Sequence, residues 1–246
     1  MLSKSRISFI KSLHQKKFRN EHGLFIVEGI KSVTEFIRSD YEVQFIFHTP
    51  HTSPNLLNLS RNIKAEEVSL SELEKISTLT SPKDALALVK IPDDGERQLS
   101  EQDSVSLILD GIQDPGNMGT IIRTAEWFGF KQLICSLDTV EVYNPKVVQA
   151  TMGSLSRIKI LYTDLESFLS KNQAPVYGTL LNGRSIYKTD FLAKGLLILG
   201  NEGNGIRPEI QKYITHPVTI PRFGEAESLN VAIAAAICCS EIRRRE

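Results

Sequence analysis

Three short stretches of this 246-residue chain gather residue types that bind ligands and take part in reactions. The first, LILDGIQDPGNMGTIIRTAEWFGF over residues 107–130, sets the amide of Asn117 six residues ahead of the guanidinium of Arg123. The second, LILGNEGNGIRPE over residues 197–209, embeds the carboxylate of Glu202 between Asn201 and Gly203. The third, TIPRFGEAESLNVAIAAAICCSEIRRR over residues 219–245, presents Ser228 and Asn230 just ahead of an apolar run. An acid between glycines brings open backbone close to a ligand, with a carboxylate beside it. A guanidinium offers a planar fork of donors to an anion or to developing negative charge. Each stretch also has a plain structural explanation. Arg123 reads equally as a solvated side chain, residues 200–205 as a tight loop, and Ser228 as a helix cap with Asn230 in the first turn.

Such residues need rigid elements to hold them. Leu107, Ile108 and Leu109 form the apolar run of a buried strand, and Asp110 to Asn117 break it with Gly, Pro, Asp and Asn. A helix follows, starting near Gly119, with Ile121, Ile122, Ala125, Phe128 and Phe130 at three- and four-residue spacings and Gly129 as a C-terminal cap. Leu196–Leu199 is a second apolar strand that runs into the second loop. In an open α/β sheet, ligands bind outside the carboxyl ends of strands, where these loops stand. Gly200, Gly203 and Gly205 reverse the spacing of the dinucleotide fingerprint, and no Gly-Lys-Ser/Thr phosphate loop occurs. No Cys or His pair has metal-ligand spacing, so no metal is expected.

The remaining chain alternates in type. An amphipathic opening helix through Ile7, Ile10, Leu13 and Phe18 precedes a strand at Phe25–Gly29, a helix IKSVTEFIRS and a strand at Val43–Thr49. Residues 50–62 read as loop, a Ser-x-x-Glu signature at Ser69 or Ser71 opens a short helix, and Ala85–Ile91 is a strand. Residues 93–104 have a linker's composition, which divides the chain into a small α/β domain at 1–92 and a larger one at 105–246. In the second, strands at Val105–Leu109, Gln132–Ser136, Lys159–Tyr162, Val176–Leu181, Leu196–Gly200 and Val218–Ile220 alternate with helices, one from about Pro145 and the last from Ser228. That pattern implies a mostly parallel sheet covered on both faces.

No apolar stretch approaches the roughly 20 residues needed to span a bilayer, and no signal peptide is visible, so no membrane partner is expected. Three cysteines, Cys135, Cys238 and Cys239, cannot form a disulfide framework and suit the reducing cytoplasm. The net charge is zero, but residues 1–20 carry Lys4, Arg6, Lys11, Lys16, Lys17 and Arg19 and no acid. Such a cluster is either a nucleic-acid footprint or a solvated helix face. The helix VAIAAAICC is apolar nearly all round, so it is buried or lies in a subunit interface.

In the second domain the sequence resembles the SpoU (TrmH-like) family of RNA 2′-O-ribose methyltransferases, of the SPOUT superfamily. Three family motifs are matched in order over the last 145 residues or so. The first is carried by Asn117, Gly119, Arg123, Thr124, Ala125, Phe128 and Gly129, and the second by Gly200–Gly205. The third is carried by Pro221, Gly224, Glu227, Ser228, Leu229, Asn230 and Val231. The stretch Arg19–Gly29 resembles the substrate-binding domain that precedes the catalytic domain in many members. The resemblance implies an α/β fold with a trefoil-knotted, mostly parallel sheet, a homodimer whose interface includes the last helix, and S-adenosylmethionine bound in the knot. It implies an enzyme that moves a methyl group to a ribose 2′-hydroxyl of structured RNA, ribosomal RNA first and transfer RNA second. An inactive RNA-binding relative and a dinucleotide oxidoreductase are the rival readings.

By the same resemblance, Arg123 activates the hydroxyl, either as a perturbed neutral base or as a charge stabilising the alkoxide, with Asn117 and Glu202 orienting it. Ser228 and Asn230 complete the catalytic set. Thr179, Leu180, Gly200, Asn201, Glu202, Gly203, Ile220, Pro221, Ser228 and Leu229 would surround the cofactor. The six basic residues at the N-terminus would bind RNA. Two departures stand out: Arg222 where members usually have Met, and Ala232 where Ser is common.

Overall fold

The structure, a computed structural model, describes residues 1–93 and 105–244. In its first part the elements run α1 (Lys4–Ser12), α2 (Lys16–His22), β1 (Leu24–Glu28), α3 (Ile30–Ile37), β2 (Val43–His48), α4 (Pro54–Leu59), β3 (Lys64–Glu67), α5 (Leu70–Ile76) and β4 (Ala85–Lys90). The second part runs β5 (Val105–Asp110), α6 (Pro115–Trp127), β6 (Gln132–Ser136), α7 (Pro145–Thr151), β7 (Lys159–Thr163), α8 (Leu165–Ser170) and β8 (Val176–Ser185). It ends with β9 (Gly195–Gly200), α9 (Pro208–Gln211), β10 (His216–Thr219) and α10 (Val231–Arg243). The chain forms two compact units, Met1–Glu96 with Glu141–Ser156, and Arg97–Val140 with Arg157–Glu246. The expected linker, apart from Asp93, lies outside the described residues.

In the first unit the strands form a mixed sheet in the order β1-β4-β2-β3. Leu24, Ile26, Phe47, Leu86 and Leu88 pack with Ile10 and Leu13 from the N-terminal helices and with Leu73 and Ile76 of α5. The basic opening segment is two helices rather than one. Leu13 caps α1 and Gln15 restarts the chain in extended geometry ahead of α2. Helix α4 appears where a loop was expected, and β3 in the stretch just after it, which had no expected element. Ser53 caps α4 and Pro54 starts it, while β3 is a charged edge strand, KAEE, held by parallel pairing to β2. Ser69 and Glu72 form the capping box of α5.

Residues 141–156 join this first unit rather than the second domain in which the sequence placed them. Tyr143 packs against Phe25 with ring centroids 4.5 Å apart, and α7 lies on β1. Arg19 ties the segment down: its Nη2 donates to Glu141 Oε2 at 2.6 Å, and its Nη1 donates to the carbonyls of Leu13 and His14.

The second unit is a six-stranded sheet in the order β10-β8-β9-β5-β6-β7, every pairing parallel. Strands β5, β6 and β9 are buried on both sides, as their near-continuous apolar runs predict. Ile108, Ile134, Leu196 and Ile198 form a core with Leu165 and Leu169 of α8 and Ile210 of α9. Helix α10 rests on β9 and on α6.

Helices α6 and α10 run parallel and are joined at both ends. Asn230 Nδ2 donates to Asn117 Oδ1 at one end, and Arg243 Nε donates to the Phe128 carbonyl at the other. Gly129, in left-handed backbone at φ +74, ends α6 as expected, with Gly129 N–H bonded to Glu126 O and Phe130 N–H to Ala125 O.

Candidate functional site

The sheet order reverses around β5: β6 and β7 lie to one side, β9, β8 and β10 to the other. The switch point lies between β5 and β9, and the carboxyl ends of β9, β8 and β10 stand together on one side of it. Here the structure forms a cavity of about 540 Å³, within the range of about 300–1,000 Å³ of small-molecule sites. Thr179–Leu181 from β8, Leu199–Gly205 from the end of β9, and Thr219–Leu229 after β10 supply most of its wall. All ten residues expected around a cofactor line it. Leu180, Leu199, Ile220, Leu229 and Val231 make much of the surface apolar, while backbone of the glycine loop and of Ile220–Phe223 gives donors and acceptors.

The glycine loop folds back on itself. Asn201 and Gly205 exchange backbone hydrogen bonds at 2.9 and 3.0 Å, and a Cβ on Gly200 would overlap the backbone of Gly205 and Ile206. Only glycine permits that approach. Asn201 Oδ1 accepts from the N–H groups of Gly203 and Asn204, and its Nδ2 donates to Gly111 O at 2.7 Å. The side chain so ties the loop after β9 to the end of β5.

A second tie was not visible from sequence. Asp110, 0% exposed, accepts from Arg207 Nε at 2.7 Å, from Arg207 Nη2 at 2.6 Å and from the Arg207 backbone N–H at 2.9 Å. This bond to Asp110 is the main reason the Arg207 guanidinium is raised above its ordinary pKa. Its one sequence trace was an acid closing an apolar strand and an arginine closing a glycine loop, 97 residues apart.

Three of the expected catalytic residues meet at the cavity edge. Asn230 Nδ2 donates to Asn117 Oδ1, and Asn117 Nδ2 donates to Glu202 Oε1, both at 2.9 Å. Asn230 Oδ1 in turn accepts from the N–H groups of Ala232 and Ile233. The chain of donors runs from the positive end of α10 through two amides to the Glu202 carboxylate, each bond polarising the next. Asn230, not Ser228, is thus the N-cap of α10, which begins at Val231. Ser228 is an exposed residue of the cavity wall.

Arg123 sits elsewhere. Asp114 caps α6 and Pro115 opens it, so the helix begins four residues before the expected Gly119 and places Asn117 and Gly119 inside it. Arg123, six residues past Asn117, is then about 9 Å further along the axis and on another face. It is exposed and has no hydrogen bond or ion pair among the described residues, and neither Asn117 nor Glu202 orients it.

The basic residues of the first unit also divide. Lys4, Lys11, Lys16 and Lys17 are exposed. Arg6 is half-buried, paired with Glu66 at 2.7 Å and lying over the Phe45 ring. Arg19, 2% exposed and fully engaged by Glu141 and two carbonyls, is removed from the expected RNA-binding set: it is a structural ion pair. Ala235 is 0% exposed, so the expected interface face of α10 does not pass through it, whereas Ile233 is 51% exposed and Trp127, at the end of α6, is 82% exposed.

Residues 104–240 match the SpoU rRNA Methylase family, and residues 4–87 match the MRM3-like substrate binding domain. The chain is 32% identical over 238 residues to the Bacillus subtilis 23S rRNA (guanosine(2553)-2′-O)-methyltransferase RlmP, covering 95% of this chain and 94% of that one. A TrmH-family protein from Porphyromonas gingivalis superposes over the whole of both chains with a TM-score of 0.88 at 37% identity. An AdoMet-bound rRNA methyltransferase from Sinorhizobium meliloti gives a TM-score of 0.89 at 28% identity, covering 100% of this chain and 97% of that one. With its catalytic-domain motifs matched over more than half its length and a relative matched end to end, the chain belongs to the SpoU rRNA methylase family.

Proposed function

We propose that this protein is an RNA 2′-O-methyltransferase that uses S-adenosylmethionine to methylate a ribose hydroxyl of 23S ribosomal RNA. The observation that carries the reading is the cavity of about 540 Å³ at the carboxyl ends of β8, β9 and β10, walled in large part by the second and third motifs, with Glu202 at its edge bonded through Asn117 to Asn230. The cavity suits the cofactor: apolar walls for a purine, backbone donors and acceptors for its edge, and no room for a side chain at Gly200. When bound, the cofactor supplies an electrophilic methyl group on a sulfonium.

The protein's part is alignment and charge. Asn201 and the Asp110–Arg207 pair fix the glycine loop, and Asn117 with Asn230 fixes Glu202 against it. Ser228 lines the same cavity, from the segment after β10. Arg123, exposed and without a partner, is available to the incoming ribose. Of its two candidate roles, the electrostatic one needs only the planar guanidinium facing the ribose from an exposed position. It stabilises the negative charge that builds on the 2′-oxygen as the oxygen attacks the methyl carbon and its proton passes to solvent.

The wider features of the family fit this reading. A trefoil knot is consistent with β10 pairing beside β8 and with the Thr219 hydroxyl donating to Leu181 O, although knots are rare in proteins. A homodimer would cover exposed apolar side chains of these two helices, Ile233 near the start of α10 and Trp127 at the end of α6. The first unit would hold RNA phosphates through Lys4, Lys11, Lys16 and Lys17. A cytoplasmic site of action agrees with the three unpaired cysteines. No helix among the described residues is long and apolar enough to cross a membrane.

Arg123→Ala tests the assignment. Methyl transfer to 23S ribosomal RNA should fall by about 10²–10³, while calorimetric affinity for S-adenosylmethionine stays within twofold or so. Arg123→Lys should fail as well, since a point charge does not reproduce the planar fork. Near-native turnover by the lysine variant refutes the role, and labelling of transfer RNA instead of ribosomal RNA refutes the substrate.

A further inference from the structure

The cavity carries one charge, that of Arg222, that the family motifs do not explain. Its wall includes two carboxylates, Glu202 and Glu227, and among the described lining residues a single cation, Arg222. Arg222 occupies the third-motif position where Met is usual, so this guanidinium is a property of the present chain. It is exposed, and its Nη1 makes a long hydrogen bond of 3.3 Å to the Ala226 carbonyl within the same loop. That one bond does not satisfy a guanidinium, which has five donors and is built to grip a carboxylate or phosphate with two of them at once.

The methyl donor has a matching set of charges. S-adenosylmethionine bears two cations, the sulfonium and the α-ammonium, and one anion, the α-carboxylate. Two carboxylates, of which Glu202 is held by Asn117, and one guanidinium complement two cations and one anion, and complementary charge is what selects a partner and its orientation. We propose that Arg222 recognises the α-carboxylate of the methyl donor. This proposal rests on the reading of the cavity as the S-adenosylmethionine site. It adds to that reading a specificity residue for the amino-acid end of the cofactor. The alternative partner for an exposed guanidinium here is an RNA phosphate. The cavity position favours the cofactor, since Arg222 shares a wall with Leu180, Ile220 and Leu229 rather than standing beside other basic residues.

The test compares three ligands by calorimetry: S-adenosylmethionine, S-adenosylhomocysteine, and decarboxylated S-adenosylmethionine, which lacks only the group in question. Arg222→Met should weaken the first two by about three- to fivefold at low ionic strength, the range of a solvent-exposed ion pair. It should change the third by less than about twofold, and Arg222→Lys should fall between wild type and Met. The losses should shrink as salt rises. An equal loss for all three ligands overturns the proposal, because it shows that Arg222 only braces its loop through Ala226. No loss for any ligand, with weaker RNA binding and a salt slope lowered by about one, overturns it in favour of a phosphate contact. A wild type that binds none of the three ligands refutes the methyl-donor reading itself and this assignment with it. Melting curves of both variants should match wild type, since the side chain lies on an exposed loop.

Discussion

Breaking the Asp110–Arg207 pair should loosen the cofactor loop without touching the cavity wall. Asp110 is 0% exposed, while the Arg207 side chain is 38% exposed, so the pair is half in the protein and half in water. Removing one partner of a fully buried pair costs about 3–5 kcal/mol, and an exposed pair contributes about 0–1 kcal/mol. An intermediate value of about 2–3 kcal/mol follows for Asp110→Asn, which keeps the shape but points an amide donor at one of three other donors. At about 2–4 °C per kcal/mol for a chain of this size, melting should fall by roughly 5–10 °C. Arg207→Ala should cost at least as much, because it leaves a buried carboxylate with only the backbone N–H of residue 207. The double variant should cost less than the sum of the two, with a coupling energy of about 2 kcal/mol. Since the pair anchors the residue two places after Gly205, each single variant should also weaken S-adenosylmethionine binding several-fold in calorimetry. Losses that add within about 0.5 kcal/mol, or loop-independent cofactor affinity, refute the view that this pair seats the loop.

Ile233→Arg should turn a dimer into a monomer in sedimentation at micromolar concentration, whereas Ala235→Arg, at a site 0% exposed, should unfold the second unit. A wild type that sediments as a fully active monomer refutes the dimer. The capping box and the Leu2 N–H hold the Glu72 carboxyl down to about 2, from an ordinary 4.5. A lowered folded pKa gives stability that is present above the unfolded value and lost as pH falls through the folded one. The first unit should therefore weaken between about pH 4.5 and pH 2, and Glu72→Gln should flatten that part of the melting profile; an unchanged slope refutes the assignment.

The alternation of strands and helices was readable because buried parallel strands are short continuous apolar runs, and Val105–Asp110, Gln132–Ser136 and Gly195–Gly200 are such runs. Elements held by little burial left no pattern. Strand β3 is four residues of lysine, alanine and glutamates on an edge, and α4 and α8 are six residues each. Helix starts were misplaced where a competing polar residue stood nearby. Pro115 opens α6 because Asp114 caps it, and Asn230 outcompetes Ser228 because its oxygen reaches two N–H groups at once. Partnership between distant charges was not readable at all. Arg19 belongs to a run of bases in sequence, yet its partner Glu141 lies 122 residues away and draws it into the core.

The cofactor wall was legible for a different reason from the catalytic centre. Ligand-facing backbone has to be glycine, proline or small, and that requirement is written locally in Gly200–Gly205 and Pro221–Gly224. The catalytic centre instead depends on which side chains meet, and here the motif residues turn out to serve the fold as well. Asn230 caps α10 with its oxygen and reaches Asn117 with its nitrogen, across 113 residues. Asn117 receives that bond and passes one to Glu202 across a further 85. Replacing Asn230 therefore removes a helix cap and an active-site strut in one step, and a loss of activity in such a variant cannot be separated from a shift of α10. Arg123 carries no such double duty: nothing in the fold leans on its side chain. An exposed arginine at a motif position, with no hydrogen bond or ion pair among the described residues, has its reason for being there in what binds from outside.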